Sequence, residues 1–274
     1  GDVAQRGEPF LLYPPLTSPH TPLAVNVPWQ GRSGLSSAVA DLVLETDAVV
    51  GRVLDALESS RVADHTLVIF TSDNGFAPYT GAQELEARGH FPSGPLRGYK
   101  ADAWEGGHRV PFVVRWPPVV KPGGVSGQLV HHADLLATLA DLLGAELPAH
   151  AGEDSVSLLP LLQGQDRPVR VHAISQGSAG LLALRHGPWK LIVGPDGGGA
   201  WSALSAAPQA TTVGQLFNLD TDLGEQTNLY AEQPERVAAM LSLLDKLVTD
   251  GRSTPGAPQA NDVPVRWQQF LEQP

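Results

Sequence analysis

The chain of 274 residues contains no cysteine and only one methionine, Met240. The absence of cysteine excludes disulfide bonds, thiolate metal sites and a cysteine nucleophile within these residues. The first residue is Gly1 rather than methionine, and we therefore expect the natural start of the protein to lie upstream.

Basic residues are also scarce, with 18 Lys and Arg against 29 Asp and Glu and a formal net charge of −11. Such a surface repels phosphate backbones, so no nucleic-acid partner is expected. No apolar run approaches the roughly 18 residues that a membrane-spanning helix needs, and no signal peptide is visible. With 42% hydrophobic residues, the composition predicts a globular protein with no membrane span.

The first half of the chain has the pattern of an α/β fold. An apolar run at residues 66–71 ends in Ser-Asp-Asn-Gly at residues 72–75 and predicts a buried parallel strand followed by a turn. Residues 34–59 repeat apolar side chains at helical spacing, and residues 9–13 (Pro-Phe-Leu-Leu-Tyr) predict another buried strand. Strand, helix and strand together predict a βαβ unit in a mainly parallel sheet flanked by helices.

The second half has a different pattern. Residues 109–116 predict a strand, and Asp134 is the expected N-cap of a helix that Gly144 ends. Beyond this helix, short apolar segments separated by glycine and proline predict an antiparallel meander, and a helix begins near Pro234. The meander segments are residues 180–184, 189–193 and 215–219, and the low-complexity residues 194–210 predict a mobile loop.

These patterns predict an α/β domain at residues 1–165, a small α+β subdomain at 166–250 and an extended tail at 251–274. We expect Val265, Trp267 and Phe270 to dock the tail onto the rest of the chain.

Two segments offer candidate site residues. Asp73 and Asn74 follow a strand end, where ligands gather in α/β sheets, and both carry the hard oxygen atoms that Ca²⁺ or Mg²⁺ requires. Taken alone, however, the same residues are more typical of an ordinary turn. His20 lies in a proline-rich loop and by itself is typical of an exposed loop histidine.

Eight stretches in order carry a family resemblance, covering roughly residues 9–250. They are residues 9–22, 50–57 (Val-Gly-Arg-Val-Leu-Asp-Ala-Leu), 71–75 (Thr-Ser-Asp-Asn-Gly), 94–100 (Gly-Pro-Leu-Arg-Gly-Tyr-Lys), 104–111 (Trp-Glu-Gly-Gly-His-Arg-Val-Pro), 134–139, 187–191 and 216–229. The chain resembles the carboxyl-terminal part of an arylsulfatase-type sulfatase, in the alkaline-phosphatase-like superfamily. The resemblance implies a hydrolase of sulfate esters, with a sulfate-ester small molecule or a sulfated sugar as substrate and a periplasmic or secreted location.

The resemblance also implies residue roles. Asp73 and Asn74 resemble two ligands of the active-site cation, usually Ca²⁺, with Mg²⁺ as the alternative. Lys100 resembles the lysine that contacts the sulfate and the nucleophile, and His20 the histidine that binds the sulfate or leaving-group oxygen. Residues 105–111 resemble the stretch of the family that leads the chain back into the sheet and is not a catalytic element. The formylglycine nucleophile of the family is expected, but the chain has no cysteine to supply it, so we expect these residues to be the second half of a longer sulfatase, inactive alone.

Other interpretations stay open. A phosphoester or phosphonate hydrolase of the same superfamily shares the metal scaffold, and a non-catalytic remnant would lack the nucleophile in the same way. Residues 93–97 (Ser-Gly-Pro-Leu-Arg) match the serine form of the nucleophile motif, but they directly precede Lys100, where the family has its lysine loop. The sequence names neither the sulfate ester nor the oligomeric state.

Overall fold

The computed structural model describes residues 6–205 and 213–272. The chain divides into two compact units. Unit 1 consists of residues 1–71, 76–94 and 111–118, and unit 2 of residues 72–75, 95–110 and 119–274. The domain boundaries expected at residues 165 and 250 remain a prediction.

Unit 1 contains one long helix and a two-stranded sheet. Its elements are α1 (Ala38–Ser59), β1 (Val68–Thr71), α2 (Ala82–Glu86) and β2 (Phe112–Arg115), with 3₁₀ turns at Val27–Trp29, Ala63–His65 and Pro78–Thr80. The predicted helix is confirmed as α1, and Val39 and Leu42 in its first turns are buried. Arg115 of β2 reaches α1 through an ion pair with Glu58 at 2.9 Å.

Two predictions for unit 1 are wrong. Residues 9–13 form no strand, and Leu11 and Tyr13 are 84% and 82% exposed. A strand needs a hydrogen-bonding neighbour, and none of the described residues pairs with this segment. The predicted parallel sheet is likewise absent from the described part of the chain, because β1 pairs with β2 in antiparallel register, Val68 opposite Arg115. Without a strand before α1 there is no βαβ unit, and the long connection after β1 lets the chain return in the opposite direction.

Unit 2 is built around a four-stranded antiparallel sheet. Its elements are α3 (Glu105–His108), α4 (Asp134–Leu143), α5 (Leu159–Leu162), β3 (His172–Gln176), β4 (Leu182–His186), β5 (Trp189–Ile192), β6 (Gln215–Asn218) and α6 (Pro234–Asp250), with 3₁₀ turns at Ser202–Leu204 and Trp267–Leu271. The strand order is β3-β4-β5-β6, each pair antiparallel. The meander, α4 and α6 are confirmed, and β3 is an additional strand that the sequence did not predict. Asp134 is the first residue of α4 and not its N-cap, which is Ala133.

The two faces of this sheet bury different partners. Alternate side chains point to opposite faces of a strand, and Leu191 and Leu216 pack against α6 and Trp267 on one face. Ile192 and Phe217 point to the other face, against Ala103 and Trp104. Lys190 shares this second face with Ile192 by the same alternation and is 1% exposed. The second face is therefore a platform for the segment that contains Lys100.

The tail docks through two of the three predicted residues. Trp267 is buried in the α6 cluster and Phe270 packs against it, whereas Val265 is 42% exposed. Within the described part of the chain, no helix has both the length and the apolar character needed to cross a membrane.

Candidate active site

The predicted metal ligands lie in a tight turn directly after β1. Asp73 is exposed, and Asn74 and Ser72 are half-buried. The Ser72 hydroxyl donates to the Asn74 carbonyl at 3.1 Å, and the Asn74 amide Nδ2 donates to the Gly75 carbonyl at 2.9 Å. Because Nδ2 is the donor in this bond, the Asn74 Oδ1 atom remains as the side-chain oxygen that can serve as a ligand.

Gly75 fastens this turn to α3. Its N–H donates to the Gly107 carbonyl at 2.9 Å. A Cβ atom at position 75 would lie 1.8 Å from the Gly106 carbonyl oxygen, far inside van der Waals contact. Only glycine allows the two backbones to approach this closely. The position of α3 therefore sets the position of Asp73 and Asn74.

The loop that contains Lys100 contacts the same short helix. A Cβ atom at Gly106 would lie 2.2 Å from the Gly98 carbonyl oxygen, and one at Gly107 would lie 2.1 Å from the Asp102 carbonyl oxygen. The Gly106 N–H also donates to the Arg97 carbonyl at 2.7 Å. The glycine pair of α3 therefore touches both the Asp73–Asn74 turn and the segment from Arg97 to Asp102.

Asp102 stabilises the conformation of the Lys100 loop. Its buried carboxylate accepts the Tyr99 N–H at 2.8 Å and the hydroxyl of Ser202. Burial raises the pKa of the Asp102 carboxyl above its ordinary value, although these two hydrogen bonds act to lower it. Ala101, between Lys100 and Asp102, adopts a left-handed conformation with φ of 83°. A non-glycine residue is rare in this region and persists only where its surroundings enforce it.

Residues after β5 and residues after β3 support the same loop. The Ala103 N–H donates to the Gly197 carbonyl at 2.7 Å, and the Ser178 N–H donates to the Ala101 carbonyl at 2.9 Å. The low-complexity segment predicted as a mobile loop is therefore packed and hydrogen-bonded over its described portion. Its remaining residues, 206–210, lie outside the described residues.

Lys100 itself is half-buried. Its side chain makes no hydrogen bond or ion pair with any residue in the described ranges 6–205 and 213–272, in contrast to the buried Lys190. Its ammonium group is thus held on a fixed loop without a protein counterion, an arrangement suited to an anionic ligand.

His20 belongs to unit 1, whereas Asp73, Asn74 and Lys100 belong to unit 2. The exposed His20 ring contacts the Thr21 carbonyl through Nδ1 at 2.9 Å and the Tyr79 hydroxyl through Nε2 at 3.4 Å. A carbonyl only accepts, so Nδ1 is the donor in the bond to Thr21. Tyr79 is a partner of the histidine that the sequence did not single out.

A buried charge cluster lies beneath α3. The Lys190 ammonium is 2.9 Å from Glu105 Oε1, 2.9 Å from Glu225 Oε1 and 3.1 Å from His108 Nε2. Lys190, Glu225 and Glu105 are 1%, 0% and 2% exposed. Arg109 and Arg185 approach Glu105 Oε2 at 3.2 and 3.8 Å from the edge of the cluster.

The cluster controls the charge state of its members. Burial is the largest single influence on the pKa of Glu105 and acts to raise it, but Lys190, His108 and Arg185 together outweigh burial and lower the pKa to about 2. Burial and the same ammonium lower the pKa of His108 to about 3. The neutral ring can then accept a hydrogen bond at Nε2 from the Lys190 ammonium, which can only donate. Burial raises the pKa of Glu225, although Lys190 opposes the shift.

Sequence reasoning missed Lys190 and Glu225 as residues related to the site. Both lie in family-like stretches, residues 187–191 and 216–229, but nothing in those stretches marks which side chains are buried. Arg97, the last residue of the serine-type motif, packs over the Trp104 ring at 3.7 Å and donates to the Glu225 carbonyl at 2.9 Å. This arginine supports the lysine loop.

The oxygen atoms of Asp73 and Asn74 fit two ligands of a hard divalent cation. Within residues 6–205 and 213–272, no three His, Asp or Glu side chains form a group that could hold a metal ion. Since Ca²⁺ prefers six to eight oxygen ligands, these two residues supply part of a coordination shell.

Comparison with known proteins identifies the family. The family model described as Sulfatase matches residues 2–145. The N-acetylgalactosamine-6-O-sulfatase of Bacteroides thetaiotaomicron is 34% identical, over 90% of this chain and 48% of its own length. The steryl-sulfatase of Mus musculus is 35% identical, over 97% of this chain and 46% of its own length. The chain thus spans about half the length of these relatives.

Structural comparison agrees with the sequence match. A solved Bacteroides thetaiotaomicron structure, from work on a versatile core genetic locus for the metabolism of multiple glycosaminoglycans, has a TM-score of 0.80 and 34% identity. The match covers 89% of this chain and 51% of that chain. The family match over more than half of the residues and the shared architecture lead to one conclusion: the chain belongs to the Sulfatase family, in the alkaline-phosphatase-like superfamily.

Proposed function

We propose that the protein containing this chain is a metal-dependent sulfuric ester hydrolase, and that this chain supplies the second half of its active site. The observation that carries the proposal is the ammonium of Lys100, which pairs with no other residue in the part of the chain that the structure describes. This group is half-buried on a loop that the glycines of α3 join to the Asp73–Asn74 turn. Family membership makes sulfate the anion for which this arrangement is suited.

The proposed roles follow from the charge that develops in the reaction. Cleavage of a sulfate ester builds negative charge on the sulfate oxygens and on the leaving oxygen. Lys100 would stabilise the charge on the sulfate, because a preorganised cation acts strongly on charge that grows in the transition state. His20 would bind the sulfate or leaving-group oxygen, with Thr21 and Tyr79 orienting its ring.

Asp73 and Asn74 would contribute two oxygen ligands to Ca²⁺, with Mg²⁺ as the alternative. The bound cation would supply Lewis-acid stabilisation of charge on the sulfate oxygens. The remaining ligands and the formylglycine nucleophile would come from residues outside this chain, which contains no cysteine.

For the substrate we propose a sulfated sugar or another small sulfate ester. A 34% identical relative is named as an N-acetylgalactosamine-6-O-sulfatase, which favours the sugar, whereas the 35% identical mouse relative is named as a steryl-sulfatase. We propose a periplasmic or secreted location on the basis of family membership.

The test compares two lysine variants of the protein that contains this chain. Lys100→Ala is expected to lower kcat/KM for an aryl sulfate by about 100-fold or more, because one charge-stabilising group in the transition state is lost. The matched control is Lys121→Ala, which changes an exposed lysine of unit 2. Both variants should unfold at the wild-type temperature, because the Lys100 side chain has no hydrogen-bond or ion-pair partner among the described residues. A Lys100→Ala enzyme of normal rate would refute the assigned role.

Substrate and metal comparisons separate the alternatives. We expect turnover of the aryl sulfate to exceed that of an aryl phosphate or phosphonate, and to disappear with a chelator and return with Ca²⁺. Faster cleavage of the phosphate would favour a phosphohydrolase, and no turnover of any ester would favour a non-catalytic remnant. The isolated 274-residue chain is expected to show no turnover.

A further inference from the structure

The buried Lys190–Glu105–Glu225 cluster joins three segments of unit 2. Removing charges from water costs several kcal/mol per ion, and a buried ion pair often contributes no more than packed apolar side chains would. The three residues come from β5, α3 and the turn after β6, so the cluster ties together segments that are distant in sequence. The main effect of the cluster is therefore to fix the positions of those segments.

Glu225 holds both ends of the segment that contains Lys100. Its Oε2 atom accepts the Glu105 N–H at 2.6 Å, at the end of the segment where α3 begins. Its main-chain carbonyl accepts the guanidinium of Arg97 at 2.9 Å, at the start of the segment. Glu225 adopts a left-handed conformation with φ of 53°, which is strained for a non-glycine residue. The surrounding contacts maintain that conformation, which directs both groups to the same loop.

α3 connects the cluster to the candidate active site. Its glycines touch the Gly98 carbonyl on the side of the Lys100 loop and the Gly75 backbone on the side of the Asp73–Asn74 turn. A Cβ atom at Gly75, Gly106 or Gly107 would collide with backbone, so a shift of α3 must displace both segments. The cluster is therefore connected to Lys100 and to Asp73–Asn74 through rigid backbone contacts.

We propose that Glu225 and Lys190 are positioning residues that fix α3 and, through it, the spacing between Lys100 and the Asp73–Asn74 turn. Neither side chain contacts substrate in this proposal. Its catalytic consequence rests on the function proposed above, whereas its structural consequence, the order of the two segments, can be measured independently.

The central variant is Glu225→Gln, which keeps the size of the side chain and removes its charge. Hydrogen exchange followed by mass spectrometry reports on two amides, Gly75 N–H and Gly106 N–H, which bond to Gly107 and Arg97. We expect both to exchange about tenfold faster, relative to amides of α6, because local opening becomes easier. In the active protein we expect kcat for an aryl sulfate to fall by about 10- to 100-fold, since small displacements of catalytic groups have effects of this size.

The matched control is Asp134→Asn, which weakens another fully buried ion pair of unit 2, that of Asp134 with Arg170. Asp134 bonds to the backbone N–H groups of His131 and Val156 and not to the Lys190 cluster. We expect this variant to lose global stability while exchange at Gly75 and Gly106, measured relative to α6, stays at the wild-type value.

A second, milder variant replaces Glu225→Gln in the test if that protein does not fold. Arg97→Lys removes the guanidinium bond to the Glu225 carbonyl and leaves the Lys190 cluster intact, so faster exchange at Gly106 is again expected. Wild-type exchange at Gly75 and Gly106 in a folded Glu225→Gln or Arg97→Lys protein would overturn the proposal. Equally accelerated hydrogen exchange at these two amides in Asp134→Asn would overturn the proposal as well. If the proposed function is wrong, the wild-type protein will not hydrolyse the aryl sulfate. The hydrogen-exchange result will still decide the positioning role.

Discussion

Gly75→Ala is the substitution for which the structure predicts the largest effect from a single added methyl group. The new Cβ would lie 1.8 Å from the Gly106 carbonyl oxygen and 2.9 Å from the Gly106 carbonyl carbon. Both atoms are backbone, so no side chain can rotate away. The turn must move from α3, and the Gly75 N–H bond to Gly107, now 2.9 Å, must lengthen or break.

The expected cost combines two effects. Overpacking of a tight contact costs about 1–3 kcal/mol, and the loss of one backbone hydrogen bond costs about 1 kcal/mol more. We therefore expect Gly75→Ala to lower the free energy of unfolding by about 2–4 kcal/mol. Because the displaced turn contains Asp73 and Asn74, we also expect the Ca²⁺ concentration for half-maximal activity to rise by about tenfold or more, as for other changes that misplace metal ligands.

Urea unfolding monitored by circular dichroism measures the first quantity, and Ca²⁺ titration of aryl sulfate turnover measures the second. Gly127→Ala is the matched control, because a Cβ atom there meets no atom within 4 Å, and its effect should stay within about 0.5 kcal/mol. A Gly75→Ala protein with wild-type stability and an unchanged Ca²⁺ requirement would show that α3 does not position the turn.

Two further predictions concern buried polar groups of unit 2. Ser202→Ala removes the hydroxyl that donates to Asp102 and should cost about 1–3 kcal/mol in urea unfolding; no loss would mean that Asp102 does not depend on this bond. Stability should also fall on acidification. The pKa of Glu105 is about 2 in the fold against an ordinary 4.5, so about 3 kcal/mol of stabilisation is present above pH 4.5 and lost as the pH falls toward 2. The pKa of His108, which faces Lys190, Glu105 and His131, is about 3 against 6.5, so its contribution is present above pH 6.5 and lost as the pH falls toward 3. In a His108→Gln variant, the urea midpoint should change less with pH between pH 6.5 and 4.5 than it does in the wild type. An unchanged pH dependence of the midpoint would contradict the assignment.

Local patterns predicted the elements that depend on neighbours in sequence. Helical spacing indicated α1 and α6, and Gly144, with φ of 64°, ends α4 as expected of a left-handed cap. The antiparallel meander followed from short apolar segments between turns. The ordered family motifs pointed to Asp73, Asn74, Lys100 and His20, whose roles remain predictions.

The errors arose where the outcome depends on a partner. Residues 9–13 have the composition of a strand, but a strand forms only where another strand accepts its hydrogen bonds. The apolar run of β1 indicated a strand correctly but not its direction, because composition does not distinguish a parallel from an antiparallel neighbour. Only the observed pairing with β2 decided it.

The sequence by itself therefore determined the family, the main helices, the meander and the candidate ligands, since each is encoded in local spacing or in ordered motifs. Tertiary structure alone decided how Lys100 and the Asp73–Asn74 turn are joined through the glycines of α3. It also decided that Lys190 is a buried partner of Glu105, 85 residues away, and that Glu225 accepts the Glu105 N–H across 120 residues. Such contacts depend on how distant segments pack, which no local pattern specifies.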